Sequence, residues 1–282
     1  MLSYRHAFHA GNHADVLKHH LLVALLDYMN QKDKVYWYLD THAGAGAYQL
    51  DTGYAAKNAE FADGIARLWK RSDLPEPLVR YVELIRDFNP DGKLKFYPGS
   101  PLIANAVLRD EDKLRLFELH PTDFPILAEN LAPVGRRALT QKGDGFAGLK
   151  SLLPPPPRRA VTLIDPPYEE KQDYQRVATA MEDALKRFAT GVYAIWIPML
   201  QRSEPDYLIE RLKALPAKGW LRATLNVHRL REDGFGMHGS TMVVINPPWR
   251  LYESLEATLP FLATTLAQDK GASFTLEQSP AE

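Results

Sequence analysis

The sequence contains no cysteine among its 282 residues. Disulfides, thiolate nucleophiles and thiolate zinc sites are therefore excluded, and any chemistry must come from carboxylates, histidines, hydroxyls or a bound cofactor. It also lacks an apolar run near the roughly 18 residues that a membrane span needs. Residues 1–6 lead into polar sequence rather than into the apolar core of a secretory signal. We therefore expect a cytoplasmic protein with no membrane partner.

Net charge is also small, because 34 Lys and Arg stand against 35 Asp and Glu. A protein that coats nucleic acid by bulk electrostatics is thus disfavoured, although a local basic surface is not. The densest positive cluster lies at the start of the chain and includes Arg5, His6, His9 and Lys18. The smaller basic pairs elsewhere in the chain are typical of an ordinary solvent-exposed surface.

Helical and strand patterns alternate along most of the chain. Residues 13–30 have apolar side chains at helical spacing after Asn12, a plausible cap. Strands are predicted at 35–40, 114–119, 138–142, 160–164, 192–197, 221–228 and 242–245, with helical patterns between most of them. This order predicts an α/β fold with a mainly parallel, seven-stranded, doubly wound sheet. Residues 271–282 are expected to form a loosely held tail.

The interval between the first two strands is far longer than the roughly 30 residues of a βαβ unit. It contains two amphipathic patterns, at 59–70 and 77–88, and then Ser100, which we expect to cap a helix over 101–108. We infer a helical insertion at 50–96 between the first part of the domain, residues 1–49, and its remainder, residues 97–282. Packing over the sheet and holding a macromolecular substrate are equally open roles for it.

A glycine turn follows the first strand, in Asp40-Thr41-His42-Ala43-Gly44-Ala45-Gly46. Glycines at the end of a parallel strand let the backbone approach a ligand. The dinucleotide fingerprint is incomplete, because Gln49 stands where a third glycine is wanted. Glu118 closes the second strand, and Asp144 and Gly145 follow the third. Each acid alone could be a helix cap, but Asp40, Glu118 and Asp144 in sheet order favour a cofactor site of the methyltransferase type.

The fourth strand runs into Asp165-Pro166-Pro167-Tyr168. Proline fixes φ, so that the carboxylate and a neighbouring carbonyl are held in one geometry. Those two acceptors can bind both protons of an exocyclic amine while the tyrosine ring stacks on a flipped base. The carboxylate can also take the released proton. We therefore assign catalysis to Asp165, Pro166 and Tyr168, against the alternative of a proline-rich strand exit with a capping Asp.

A second tetrapeptide of this kind, Asn246-Pro247-Pro248-Trp249, follows the last predicted strand. The strand order separates the two, since Asp165 closes a strand adjacent to the glycine turn and Asn246 closes one toward the far edge. We interpret Asn246 as a structural strand exit.

In combination, these motifs resemble the bacterial 23S ribosomal RNA adenine-N6-methyltransferases of the RlmJ type, over nearly the whole chain. The resemblance rests on residues 4–19, Thr41-His42-Ala43-Gly44-Ala45-Gly46, Tyr97-Pro98-Gly99-Ser100-Pro101, Glu118-Leu119-His120-Pro121 and the two tetrapeptides. It implies a Rossmann-like fold, S-adenosylmethionine as cofactor and one adenine of 23S ribosomal RNA as substrate. The cofactor contacts it implies are His19, His42, Ser100, Glu118, Asp144 and Gly145, with Gly44, Gly46 and Asp165 beside them.

The resemblance further implies that residues 1–19 form a lid, which presents Tyr4, Arg5 and Lys18 to the RNA. His9 and His13 are spaced as a metal pair, but no acid or cysteine completes a ligand set, and we expect no metal. We expect a monomer. The alternatives are a DNA adenine-N6-methyltransferase, because the tetrapeptide does not see the sugar, and a non-catalytic binding protein that retains the fold; a nicotinamide enzyme ranks last.

Overall fold

The computed structural model describes residues 6–51, 59–232, 234 and 236–279. Its α-helices, in chain order, are α1 (His13–Asn30), α2 (Ala66–Trp69), α3 (Glu76–Asp87), α4 (Ser100–Val107), α5 (Asp123–Leu131), α6 (Gly145–Leu152), α7 (Lys171–Arg187), α8 (Ser203–Lys213) and α9 (Leu251–Thr265). Short 3₁₀ helices cover His6–Phe8, Glu60–Asp63 and Ala132–Arg137. Across these described ranges, none of the helices is both long and apolar enough to cross a membrane.

Eight of the ten strands in the described part of the chain form one sheet. The strands are β1 (Trp37–Asp40), β2 (Ala47–Gln49), β3 (Phe96–Pro98), β4 (Lys113–Glu118), β5 (Ala138–Lys142), β6 (Ala160–Ile164), β7 (Val192–Leu200), β8 (Trp220–Asn226), β9 (Met237–Ile245) and β10 (Ser273–Gln278). The sheet order is β10-β8-β9-β7-β6-β1-β4-β5. The five strands from β7 to β5 pair in parallel, whereas β9 and β10 run antiparallel to their neighbours. The predicted mainly parallel α/β sheet is confirmed.

The predicted count of seven strands is wrong, because residues expected to form a loose tail supply an eighth. Ser273–Gln278 alternates polar and apolar side chains and pairs along its length with β8, from Ser273 opposite Asn226 to Gln278 opposite Leu221. An edge strand needs a backbone partner on one side only. A short alternating segment near the chain end is therefore enough to extend the sheet.

Helix α1 is buried on almost all sides. It contacts α4, α9 and β9, and α3 of the insertion also packs against it. Leu17, Leu21 and Leu25 are fully buried, but so are polar residues such as Asp15 and His19. A helix covered all round cannot place polar side chains in water, so these groups must bind one another or face a site.

The predicted insertion begins and ends at a two-stranded ribbon. β2 and β3 pair antiparallel, with Tyr48 opposite Tyr97. Helix α3 matches the pattern at 77–88, but the pattern at 59–70 is split into a 3₁₀ helix and α2. The break falls at Gly64, where a Cβ would lie 2.0 Å from the carbonyl oxygen of Gly11. The insertion is thus built against the N-terminal segment as well as against α1.

The carboxyl ends of the parallel strands lie at one edge of the sheet. β1 has β4 on one side and β6 on the other, so the chain changes direction across the sheet at this point. Ligands of open α/β sheets bind in the crevice at such a switch point. The segments after β1, β4, β5 and β6 are therefore brought together.

Candidate active site

A cavity of about 250 Å³ opens at this edge. Most of the predicted site residues line it: Lys18, His19, His42, Gly44, Ser100, Glu118, Asp144, Gly145, Asp165 and Pro166. Among the predicted site residues that the structure describes, Gly46 and Tyr168 do not line it. The sheet thus brings together residues that are more than 140 positions apart in the chain.

The glycine turn after β1 is shaped by conformation and by crowding. Gly44 has φ +61°, and a Cβ there would lie 2.3 Å from the hydroxyl oxygen of Tyr48. Gly46 has φ +83°, and its missing Cβ faces Leu127 of α5 rather than the cavity. Left-handed backbone at both positions favours glycine. Gly46 therefore shapes the turn, whereas Gly44 also lines the cavity.

Glu118 holds that turn from the end of β4. Its Oε2 accepts from the Gly44 N–H at 2.7 Å, and its Oε1 accepts from the His120 N–H at 2.6 Å. Burial raises the pKa of Glu118, while these backbone bonds act in the opposite direction. A carboxylate bound on each oxygen is oriented before any ligand arrives, and each oxygen can still accept a further bond where Glu118 lines the cavity.

Asp144 both caps a helix and lines the cavity. Its Oδ1 accepts from the Phe146 N–H at the start of α6, and its Oδ2 pairs with Arg176 at 3.1 Å. Next to it, a Cβ at Gly145 would lie 1.9 Å from the carbonyl oxygen of Thr41. Gly145 is therefore required by the close approach of the β1 turn, a reason that is independent of any ligand.

Asp40, at the end of β1, was given no role of its own in the sequence analysis; it is fully buried and holds two residues that line the cavity, Ser100 and His42. Its Oδ2 accepts from the hydroxyls of Tyr38 at 2.7 Å and Ser100 at 2.6 Å, and its Oδ1 accepts from the His42 N–H. Burial raises the pKa of Asp40 to about 6, although these bonds lower it. Ser100 was expected to cap a helix; instead Gly99 precedes the first turn of α4, and the Ser100 hydroxyl is bound to Asp40.

The two predicted cofactor-binding histidines are neutral. Burial lowers the pKa of both His19 and His42 to about 3. His42 Nδ1 bonds the hydroxyl of Thr41 at 2.8 Å, and His19 Nδ1 bonds the hydroxyl of Tyr97 at 2.8 Å. Each can therefore offer the cavity one uncharged hydrogen-bonding group.

Asp165 is bound to Lys18, which lies inside the protein. Lys18 Nζ is 2.5 Å from Asp165 Oδ2 and 3.0 Å from Asp15 Oδ1, and only 4% of the Lys18 side chain is exposed. Asp15 Oδ2 in turn pairs with His6 Nε2 at 2.9 Å. Lys18 therefore belongs to the buried helix α1 and lines the cavity, and its contact with RNA stays a prediction. Residues 13–19, assigned to the predicted lid, are the first two turns of the same helix.

The charges of this group depend on one another. Burial alone would lower the pKa of Lys18, but the two carboxylates outweigh it and the pKa is raised. Burial raises the pKa of Asp165, with Lys18 acting in the opposite direction. Asp15 was missed in the sequence. The signal was available, since Asp15 and Lys18 are three residues apart and share a helix face.

The turn after Asp165 is strained. Tyr168 has φ +51°, which is unusual for a bulky residue. Its hydroxyl donates to the carbonyl of Trp196 at 2.7 Å, and its ring lies 4.5 Å from that of Tyr174, centroid to centroid. Only 4% of Tyr168 is exposed. Its stacking on a base stays a prediction, and its ring fixes the shape of the turn.

Asn246 has a purely structural set of contacts. Its side-chain amide donates to the carbonyls of Ala189 and Gly191, and its Oδ1 accepts from the Lys218 N–H. Because β9 is antiparallel to β7, Asn246 emerges at the edge of the sheet opposite to Asp165. Asn246 was predicted to close a strand toward the far edge of the sheet. That prediction is wrong, because β9 lies inside the sheet. The direction of the strand, rather than its position, separates the two tetrapeptides.

Two predicted RNA contacts, Tyr4 and Arg5, lie outside the described residues. The segment that follows them is held in place: Gly11 N–H donates to Asp15 Oδ2, and His9 and Asn12 bond Glu60 of the insertion. Among the described residues, no group of three or more His, Asp or Glu is arranged to hold a metal ion.

A glycine turn, an acid at the tip of the next strand and Asp-Pro-Pro-Tyr on the other side define a class, the Rossmann-like methyltransferases. Residues 33–277 match the family model described as RsmJ, ribosomal RNA large subunit methyltransferase D, RlmJ. The chain belongs to this family.

Relatives match over almost their full length. Ribosomal RNA large subunit methyltransferase J of Escherichia coli strain K12 is 48% identical over 266 residues, 94% of each chain. The protein of the same name from Haemophilus influenzae is 46% identical over 278 residues, 98% of each chain. The crystal structure of protein LPL1258 from Legionella pneumophila is 34% identical and superposes with a TM-score of 0.88, over 95% of this chain and 98% of that one. The resemblance read from the motifs is confirmed at the level of family.

Proposed function

We propose that this chain transfers a methyl group from S-adenosylmethionine to the N6 amine of one adenine in 23S ribosomal RNA. One observation carries the proposal: Asp165 after β6 and the Gly44 turn after β1 line the same cavity, on adjacent strands. The family and the names of its relatives support ribosomal RNA of the large subunit as the substrate. We expect the chain to act in the cytoplasm as a monomer.

The residues present fit the cofactor. Glu118 and Asp144 supply acceptors for ribose hydroxyls and for an adenine amine, and Gly44 leaves room beside the turn. The cavity is also lined by Asp165, Glu169 and other acids, which favours a ligand bearing positive charge. When bound, S-adenosylmethionine supplies an electrophilic methyl group on a sulfonium.

We assign binding and deprotonation of the substrate amine to Asp165. Lys18 occupies Oδ2, so Oδ1 is the oxygen left to accept from the amine among the contacts of the described residues. The carbonyl of Pro166 is the second acceptor expected from the motif. Bonds to both amine protons turn the nitrogen lone pair toward the methyl group, and the carboxylate can take the proton released on transfer. The target base must leave its stack to reach this depth.

The test compares Asp165→Asn with Asn246→Ala in methyl transfer from labelled S-adenosylmethionine to unmethylated 23S RNA. Loss of a positioned proton acceptor costs about 10²- to 10⁴-fold in rate, so Asp165→Asn should be nearly inactive. Asn246→Ala should retain the rate per folded molecule. Substantial activity of Asp165→Asn would overturn the assignment.

Competition separates the nucleic-acid substrates. Equal concentrations of unmethylated 23S RNA and duplex DNA are offered together, and the label is mapped to N6-methyladenine in each. Label in the RNA at a single position supports the proposal. Label mainly in DNA would favour the DNA methyltransferase alternative, and cofactor binding without transfer to either would favour a non-catalytic binding protein.

A further inference from the structure

Three buried rings connect the insertion with the cavity. The hydroxyl of Tyr81, on helix α3 of the insertion, is 2.8 Å from the hydroxyl of Tyr97 on β3. The Tyr97 hydroxyl is 2.8 Å from Nδ1 of His19 on α1. Tyr81 and Tyr97 are fully buried, and His19 lines the cavity. Two roles were predicted for the insertion, packing over the sheet and holding a macromolecular substrate. Neither role requires this chain of contacts.

The direction of the hydrogen bonds follows from counting protons. If His19 donated from Nδ1, Tyr97 would donate to Tyr81, and the buried Tyr81 hydroxyl hydrogen would need an acceptor. The bonds described for Tyr81 give it only Tyr97. In the other direction Tyr81 donates to Tyr97 and Tyr97 donates to His19, so every hydroxyl hydrogen is used. Buried polar hydrogens are rarely left unpaired, which favours the second direction.

This direction decides what His19 shows to the cavity. Burial lowers the pKa of His19 to about 3, so the ring is neutral and carries a single N–H. With Nδ1 accepting from Tyr97, the proton must be on Nε2, which has no partner among the described residues. A neutral histidine thus becomes an N–H donor of fixed orientation.

We propose that Tyr97 and Tyr81 are positioning residues that fix His19 as the Nε2–H tautomer, so that it donates to the carboxylate of the methionine part of the cofactor. The inference rests on the function proposed above and adds the insertion to the cofactor site. His19 lies next to Lys18, which binds Asp165, so it is at the methyl-donating end of the cavity. Glu118 and Asp144, toward the β5 side, are assigned to the nucleoside end.

The cations that line the cavity are already engaged. Lys18 is shared between Asp15 and Asp165, and Arg176 pairs with Asp144 and Asp173. A carboxylate entering an acid-lined cavity therefore needs donors that those acids do not occupy. The N–H of a neutral histidine meets this need without attracting a protein carboxylate as a competing ion pair.

The first experiment replaces the hydroxyl that bonds His19. In Tyr97→Phe, ¹⁵N chemical shifts of His19 in the ligand-free protein should change from the Nε2–H pattern to a mixture of tautomers. Calorimetry should show binding of S-adenosylhomocysteine weakened by about three- to tenfold, the usual worth of one hydrogen bond. Binding of 5′-methylthioadenosine, which lacks the amino-acid carboxylate, should be unchanged.

Tyr193→Phe is the matched control. It deletes a buried tyrosine hydroxyl that donates to the carbonyl of Phe188, remote from the cavity, and should change neither ligand's affinity. Tyr81→Phe should give a smaller loss than Tyr97→Phe, because Tyr97 can still donate to His19.

Each outcome decides the proposal. An Nδ1–H pattern in the wild-type protein, or an equal loss for both ligands in Tyr97→Phe, would overturn it. Unchanged affinity for S-adenosylhomocysteine in Tyr97→Phe would do the same. The failure of the proposed function is distinguishable, because wild-type protein would then bind neither ligand while the tautomer of His19 could still be read.

Discussion

Lys18→Met should lower the free energy of unfolding, and the loss should be larger at high pH than at low pH. Lys18 lies 2.5 Å from Asp165 and 3.0 Å from Asp15, and both acids are largely or wholly buried. At an effective dielectric constant near 20, one such pair interacts by roughly 5 kcal/mol. Removing one partner of a buried pair costs about 3–5 kcal/mol, because the other charge stays buried and uncompensated. We expect a loss in this range at pH 8.

The sign of the pH dependence follows from the carboxyl groups. Burial already raises the pKa of Asp165 in the folded state, and in Lys18→Met that pKa should rise further because Lys18 no longer lowers it. A raised carboxyl pKa stabilises the folded state at low pH, and this contribution is lost as pH rises through the folded pKa. The difference in unfolding free energy between wild type and Lys18→Met should therefore shrink as pH falls from 8 to 5.5.

Urea unfolding of both proteins at each pH measures this difference, with the exposed Lys186→Met as a matched control. Lys18→Arg keeps the charge and should recover much of the stability. Methyl transfer to 23S RNA should fall sharply in Lys18→Met, since Asp165 would be protonated more readily. A loss below about 1 kcal/mol, within the range of an exposed ion pair, or a loss that does not depend on pH, would refute the reasoning.

Three further predictions follow from the site and the sheet. Gly145→Ala should lower the free energy of unfolding by about 1–3 kcal/mol, as overpacking does, because the new Cβ would clash with the Thr41 carbonyl. Thermal unfolding measures this loss, and an unchanged melting temperature would contradict the predicted clash. Glu118→Gln keeps one acceptor oxygen, but its NH₂ group would face either the Gly44 N–H or the His120 N–H, which places two donors against each other. It should weaken binding of S-adenosylhomocysteine by about tenfold, a charged hydrogen bond's worth, and calorimetry with equal affinity would refute this. Asn246→Ala leaves backbone groups unpaired and should cost about 1–3 kcal/mol with normal activity, whereas lost activity in folded protein would oppose its structural role.

The sheet was predictable from the sequence because each parallel strand ends in recognisable chemistry. Asp40, Glu118 and Asp165 all follow apolar strands, and the carboxyl ends of parallel strands share an edge. This rule places residues far apart in the chain without any knowledge of their contacts. It also explains why the cavity residues after these strands were found with the correct neighbours.

What the sequence could not show is how polar groups on one helix divide between water and the interior. Lys18 was assigned to RNA because the family resemblance implied a lid over residues 1–19. Inside the protein it contacts the ring of Trp196, whose centroid lies 5.6 Å from Nζ, and Asp15 and Asp165 compensate its charge. Tyr97 was missed because its partners come from α1 and from the insertion. Contacts among three separate segments leave no periodic signal.

The β2–β3 ribbon has a consequence for the history of this enzyme family. Because Tyr48 lies opposite Tyr97 and Gln49 opposite Phe96, the chain leaves the nucleotide-binding scaffold and re-enters it at almost the same point. Residues can therefore be inserted or deleted beyond the β2–β3 ribbon without a shift in the register of the eight-stranded sheet. A shortened chain with a tight hairpin between β2 and β3 would keep Tyr97 and lose Tyr81. Relatives that differ in length at this junction would therefore show whether the site works without Tyr81.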